Sequence, residues 1–302
     1  MNYQRILPVL SAFAVLLVGG PTVVRTQALQ RSMVVSVVDR AGEPVSDLGV
    51  ADFVIREDNV AREVLSVAPA DEPMQLAILV DNSAAAQNQI QDIRRALPGF
   101  LDVITRPTAS GRRNEVAIVG LAERPTILTD YTFDRGRLDK AIGLIWERGG
   151  GSYLLDATIE VTQGFKKRGA TRPVIVAIAT DGPELSSRHF DQVLTPIAAT
   201  GTTFHVISLG LPSSDIRSDD AMNRDMVVAE GPRLSGGLHE RLLAGSALTA
   251  KLKQLADVMT HQYRVTYGHP DSLIPPDRVA VSARRAELTA RGTAVRDPQA
   301  RR

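Results

Sequence analysis

Apolar positions change their spacing along the chain, and each spacing predicts a different kind of structure. Residues 33–67 contain short apolar runs between turn residues, which predicts β strands without a helix. From residue 74 to about 259, continuous apolar runs alternate with stretches in which apolar residues recur every three or four positions. From residue 263 onward the short β runs return.

The middle pattern predicts a doubly wound α/β sheet, mostly parallel, with helices on both faces. Runs such as 76–80 and 174–179 are apolar throughout, as expected of strands that are covered on both faces. Runs 116–119 and 126–128 lie so close in the chain that we expect them to form an antiparallel pair. A further strand is expected at 203–208. The predicted helices cover residues 86–104, 137–146, 154–167, 189–199 and 248–259.

The two flanks carry few strands each. The leader has about 40 residues, near the size below which a unit seldom folds alone without disulfides or a metal. We therefore expect the leader and the tail strands, at 263–267 and 279–282, to pack together as one small β-sandwich-like unit. The alternative is a tail hairpin that extends the central domain. The predicted layout is a signal peptide at 1–28, a β leader at 29–72, an α/β domain at 73–261, and C-terminal strands and tail at 262–302.

The first residues have the pattern of a secretory signal peptide. Arg5 precedes an apolar run at 6–18, and the Thr-Gln-Ala sequence at 26–28 offers a cleavage site. The alternative is an uncleaved membrane anchor, but the run is shorter than the roughly 20 residues of a spanning helix. We therefore predict export to the periplasm or the extracellular space, and no membrane span after cleavage. The sequence contains no cysteine, which excludes disulfides and attachment of lipid to an N-terminal cysteine.

Composition and charge narrow the classes of function. A hydrophobic content of 44% is sufficient for a full core. Loss of the first 28 residues removes Arg5 and Arg25, which leaves 33 basic residues against 34 acidic ones. This balance gives no electrostatic footprint for nucleic acid, so a nucleic-acid partner is not expected.

Polar residues follow the buried strands at three places. Asp81 and Ser83 come after the first buried strand, and Asp181 comes after the strand at 174–179. Between them, three glycines precede Ser152 at the predicted start of a helix. Because ligands of open α/β sheets bind beyond the carboxyl ends of the strands, we expect these groups to converge there. Carboxylate and hydroxyl oxygens are ligands that Mg²⁺ or Ca²⁺ prefers.

The three segments resemble the motifs of the von Willebrand factor A-type domain over residues 74–259. That family has Asp-x-Ser-x-Ser after its first strand, a Gly-Gly-(Thr/Ser) loop, and (Thr/Ser)-Asp-Gly after a later strand. The resemblance implies a metal-ion-dependent adhesion site, in which Mg²⁺ leaves one position open for an acidic side chain of a protein ligand. The metal ligands that the resemblance implies in this chain are Asp81, Ser83, Ser152 and Asp181.

One position departs from the motif, because Ala85 stands where the family has its second serine. A missing ligand implies weak Mg²⁺ binding. The alternative is a metal-independent scaffold domain with a relic site, in which Ser83 and Ser152 cap helices and Asp181 starts a turn. The flanks, including 38–45, 52–58 and 262–263, are similar to a bacterial exported subgroup of these proteins that has an Ig-like leader.

An enzyme is not expected from this sequence. It has no Gly-x-Ser-x-Gly, His-Glu-x-x-His or P-loop motif, and its five histidines lie far apart. His205 lies inside an apolar strand and is predicted to be a packed core residue. The polar stretch at 213–224 is expected either to shape specificity or to form a mobile loop. The sequence therefore predicts an exported, non-catalytic, adhesion-type protein-interaction module with its ligand at the carboxyl edge of the sheet.

Overall fold

The computed structural model of the protein describes residues 29–211, 218–270, 276 and 278–294. The predicted signal peptide lies outside the described residues. In the leader, the strands are β1 (Leu29–Val38), β2 (Phe53–Glu57), β3 (Val60–Arg62) and β4 (Val64–Pro69). The central strands are β5 (Gln75–Val80), β6 (Glu115–Gly120), β7 (Thr126–Thr132), β8 (Pro173–Thr180), β9 (Thr203–Leu209) and β10 (His239–Leu242). The tail strands are β11 (Tyr263–His269), β12 (Val279–Ala283) and β13 (Thr289–Ala294).

The central sheet has the strand order β10-β9-β8-β5-β6-β7. All neighbouring strands are parallel except β6 and β7, whose expected antiparallel pairing is confirmed. Six helices accompany the sheet: α1 (Ile90–Ile104), α2 (Arg135–Gly143), α3 (Leu154–Arg168), α4 (Phe190–Thr200), α5 (Asp219–Ser235) and α6 (Leu248–Thr260). Among the described residues, no helix combines the length and the apolar character that crossing a bilayer requires.

Two separate cores show that helices cover both faces of the sheet. Along β5, Leu76 and Ile78 pack with buried residues of α1, α2 and α6 on one face. Ala77 and Leu79 point to the opposite face, where they pack with buried residues of α3, α4 and α5. This alternation explains why β5 is apolar at every position from Leu76 to Val80. The predicted doubly wound architecture is confirmed.

The flanks pair with each other, as the sequence predicted. β1 pairs with both β11 and β13, and β2 pairs with β12, so leader strands and tail strands share two sheets. Phe53, Ile55 and Tyr267 are buried in the core between them. The domain boundaries assigned from the sequence stay a prediction.

The buried side chain of Arg172 bonds to the two segments through which the chain enters and leaves the central domain. Arg172, at the start of β8, donates to the carbonyl oxygens of Ala70 at 3.2 Å and Glu72 at 3.0 Å. It also donates to the carbonyl oxygen of Met259 at 2.7 Å and to the side-chain oxygen of Gln262. Both crossings between the β unit and the central domain therefore meet at one guanidinium.

Three elements of the structure, α5, β10 and β13, were not predicted from the sequence. Residues 219–235 form α5, so the described end of the polar stretch at 213–224 is helical and is not a loop. Residues 212–217 of that stretch lie outside the described residues. His205 is a packed core residue as expected: its Nδ1 accepts from the Leu238 N–H, and burial lowers its pKa to about 3.

Candidate functional site

The carboxylate of Asp81 fixes the loop that follows β5. Asp81 is 1% exposed, and its Oδ1 accepts from the backbone N–H of Ser83 at 2.9 Å. Its Oδ2 accepts from the Thr180 backbone N–H at 3.2 Å and from the Thr180 hydroxyl at 2.5 Å. Both carboxylate oxygens of Asp81 are thus engaged in joining the end of β5 to the end of β8.

Asn82 fixes the neighbouring loops from the same position. Its side-chain oxygen accepts from the backbone N–H groups of Leu121 and Ala122, each at 3.0 Å. Its side-chain nitrogen donates to the Trp146 carbonyl oxygen at 3.1 Å. Asn82 was not predicted as a site residue, yet its side chain joins the loop after β5 to the end of β6 and to the segment before Ser152.

Ser83 and Ala85 face the loop that follows β8. Ser83 is fully buried, and its hydroxyl has no hydrogen-bond partner among the described residues. A Cβ added to Gly182 would lie 2.4 Å from the Ala85 Cβ and 3.7 Å from the Ser83 hydroxyl oxygen. Ala85, which stands where the motif has its second serine, therefore packs directly against Gly182.

Ser152 joins the glycine loop to the same edge. Its N–H donates to the Pro183 carbonyl oxygen at 2.8 Å, and its carbonyl oxygen accepts from the Leu185 N–H at 2.8 Å. Gly151 is required there, since an added Cβ would lie 2.4 Å from the Pro183 oxygen. Neither Ser152 nor Ser83 caps a helix through its side chain, because the residue before α3 is Tyr153 and the Ser83 hydroxyl is unbonded.

Asp181 is paired with arginine. Its two carboxylate oxygens accept from the two terminal nitrogens of Arg241, Nη1 to Oδ2 at 2.8 Å and Nη2 to Oδ1 at 3.2 Å. A second guanidinium, that of Arg224 on α5, lies 3.9 Å from Oδ1 and also donates to the Gly182 carbonyl oxygen. Arg224 is 4% exposed and pairs with Asp225. Two cations thus flank Asp181.

The residues as arranged do not fit a divalent cation. The buried, unbonded hydroxyl of Ser83 would suit a metal, but Ala85 has no oxygen and both oxygens of Asp181 are held by Arg241. The described residues include no group of three or more His, Cys, Asp or Glu side chains that could hold a metal. Coordination of Mg²⁺ by Asp81, Ser83, Ser152 and Asp181 stays a prediction that this geometry does not favour.

A buried acid that the sequence analysis did not single out lies beside Ser152. Glu184 is 3% exposed, and its carboxylate accepts from the N–H groups of Leu154 at 3.3 Å and Ser186 at 3.2 Å. Burial raises the pKa of Glu184 to about 7, although these donors act in the opposite direction. Glu184 therefore keeps its proton to a higher pH than an exposed glutamate does.

Five exposed apolar side chains lie on segments at or next to the carboxyl edge of the sheet. Leu185 follows β8, Leu211 follows β9 and Leu243 follows β10, so all three lie at the carboxyl ends of parallel strands. Trp146 and Met222 lie on adjoining segments, which contact Asn82 and carry Arg224, respectively. Leu211 is 74% exposed, Leu243 70% and Trp146 56%. We call these five residues the apolar rim.

Comparison with known proteins identifies the central fold. The family profile of the von Willebrand factor type A domain matches residues 76–184. A von Willebrand factor type A protein from Catenulispora acidiphila matches with a TM-score of 0.50 and 12% identity, over 90% of this chain and 72% of that one. The conserved hypothetical protein BatB from Bacteroides thetaiotaomicron has a TM-score of 0.46 and 17% identity, over 62% of this chain and 99% of that one.

Proximal thread matrix protein 1 from the mussel byssus, in a structure with a zinc-occupied metal-ion-dependent adhesion site, has a TM-score of 0.47 and 12% identity. The match covers 71% of this chain and 50% of that one. No curated protein matches the chain. The six-stranded sheet agrees with the family match: residues 76–184 have the sequence profile of the von Willebrand factor type A domain, and they lie within a central domain of doubly wound α/β fold.

Proposed function

We propose that this chain is an exported protein-interaction module of the adhesion type, and that it binds its ligand at the carboxyl edge of the central sheet. The observation that carries the proposal is the apolar rim together with the paired charges of Asp181 and Arg241. The described residues of the site form ion pairs and backbone contacts, which supports a binding role.

The rim has the chemistry of a protein-binding surface. Contiguous exposed apolar surface in a protein often marks a site where another protein docks. Protein interfaces combine an apolar core enriched in aromatic residues with charged groups that set orientation. Here Trp146 and the leucines supply the apolar part, and Arg241 supplies an accessible charge. An acidic side chain flanked by apolar ones is the ligand group that this combination suits.

A second candidate is a structural role without a ligand at this edge. It is favoured by Asp81, whose two oxygens are fully used in joining β5 to β8. In that case the polar residues maintain the loops, and the domain acts as a scaffold. The two candidates differ in whether anything contacts the rim.

Site-specific photo-crosslinking distinguishes them. A photoreactive amino acid is placed at Leu211 or at Leu243, and the protein is irradiated in the native exported fraction. The matched control is the same substitution at Leu65, which is 40% exposed on β4, in the flanking unit. The proposal predicts one shared adduct from Leu211 and Leu243 that is absent from Leu65. Equal labelling at all three positions, or no adduct at the rim, would support the scaffold candidate.

A further inference from the structure

Arg241 reaches the site from the edge strand of the sheet. It lies near the carboxyl end of β10, in register with Ser208 of β9. Its side chain crosses the end of β9, where Nη1 donates to the Gly210 carbonyl oxygen at 3.3 Å, and continues to Asp181 beyond β8. One guanidinium therefore links the ends of three neighbouring strands.

The two arginines beside Asp181 disfavour the binding of a metal cation there. Arg241 donates to both carboxylate oxygens of Asp181, and Arg224 lies 3.9 Å from Oδ1 of the same carboxylate. A divalent ion at Asp181 would have to displace Arg241 and would then remain close to the buried charge of Arg224. Like charges at such distances repel strongly where water is scarce.

We propose that the guanidinium of Arg241 is the built-in cation of this site and takes the place that a metal ion has in the family's adhesion site. It neutralises Asp181, as a metal would, and it is covalently part of the chain. Arg224 cannot do the same for a ligand, since its side chain is only 5% exposed, whereas that of Arg241 is 28% exposed.

Arg241 also has donors to offer to a partner. Within the described residues, Arg241 donates through Nη1 and Nη2 to Asp181 and Gly210, and its Nε makes no hydrogen bond. The Nε edge of a guanidinium is a fork that matches the two oxygens of a carboxylate. The proposed ligand group is therefore a carboxylate of the partner, bound without metal. This step rests on the function proposed above.

The test measures competition between Arg241 and a metal, with Mn²⁺ as the probe because it takes oxygen ligands. The full chain is titrated with MnCl₂ and bound Mn²⁺ is followed by electron paramagnetic resonance. We expect wild-type binding to be weaker than about 1 mM, the loose end of natural cation sites. Arg241→Met, which removes the charge but retains the length, should tighten binding at least tenfold. Arg241→Gln serves the same purpose if the methionine variant does not fold.

Three control variants test whether the gain in Mn²⁺ binding depends on the charge of Arg241 and on Asp181. Arg168 holds Asp130 with contacts of 2.9 and 3.1 Å on the surface, so Arg168→Met also releases an aspartate but should gain no Mn²⁺ site. Arg241→Lys keeps the charge and should stay as weak as wild type. Adding Asp181→Ala to Arg241→Met should remove the gained binding.

Three results would overturn the proposal: tight Mn²⁺ binding by the wild type, no gain in either uncharged Arg241 variant, or an equal gain in Arg168→Met. The crosslinks at Leu211 and Leu243 in the wild-type protein test the interaction surface without any change at Arg241. A wild-type adduct together with failure of the Mn²⁺ test would therefore refute this proposal and leave the interaction surface standing.

Discussion

Replacing the buried acid Glu184 with glutamine should change how stability depends on pH. Glu184 lies between the glycine loop and the start of α3, and burial raises its pKa from an ordinary value of 4.5 to about 7. The folded state therefore holds the proton more tightly than the unfolded state does. This contribution to stability is fully present below about pH 4.5 and is lost as the pH rises through 7.

The size of the effect follows from the difference between the two pKa values. At about 1.4 kcal/mol for each tenfold change in affinity for the proton, the shift corresponds to about 3 kcal/mol. Glutamine cannot titrate, so the Glu184→Gln variant lacks this pH-dependent contribution to the free energy of unfolding. The wild-type free energy of unfolding, minus that of the variant, should therefore fall by about 3 kcal/mol between about pH 4 and pH 8.

Urea denaturation at a series of pH values measures this difference. Contributions from other groups cancel between wild type and variant when those groups are far from residue 184. A useful control is Glu230→Gln: the Arg233 guanidinium lowers the pKa of Glu230, so the difference should change in the opposite direction. A difference for Glu184→Gln that stays constant with pH would show that burial does not govern this acid.

Three further predictions concern the junction, the edge loops and export. Arg172→Met should lower the free energy of unfolding by about 3–5 kcal/mol in urea, because several buried carbonyl oxygens lose their donor; a loss below about 1 kcal/mol would contradict the junction described here. Asn82→Ala should cost about 2–4 kcal/mol by the same measurement, since the backbone N–H groups of Leu121 and Ala122 lose their shared acceptor; an unchanged urea midpoint would contradict this. N-terminal sequencing of the exported protein should begin near Leu29, and an intact first methionine would contradict cleavage.

The sequence was sufficient for the parts of the fold with strong apolar patterning. β5 and β8 are apolar at almost every position because helices cover both faces of the sheet, and this pattern allowed both to be predicted as buried strands. The meeting of the loops that follow β5 and β8 was predictable from the rule that parallel strands end at the same edge.

The sequence was not sufficient for the partners of these residues. α5 was missed because its buried positions include Arg224 and Pro232, so no apolar stripe marks it. β10 has only four residues, of which one is buried. The two arginines beside Asp181 come from these two elements, and their long-range pairing leaves no periodic signal in the sequence.

The most direct test of the account is the photo-crosslink from Leu211, repeated with and without EDTA and in the Arg241→Met background. The account predicts that the adduct forms with equal yield in EDTA and in Mg²⁺, because the guanidinium of Arg241 supplies the charge that the partner's carboxylate meets. It also predicts that the yield falls in Arg241→Met. An adduct that disappears in EDTA, or that is unaffected by Arg241→Met, would contradict the account.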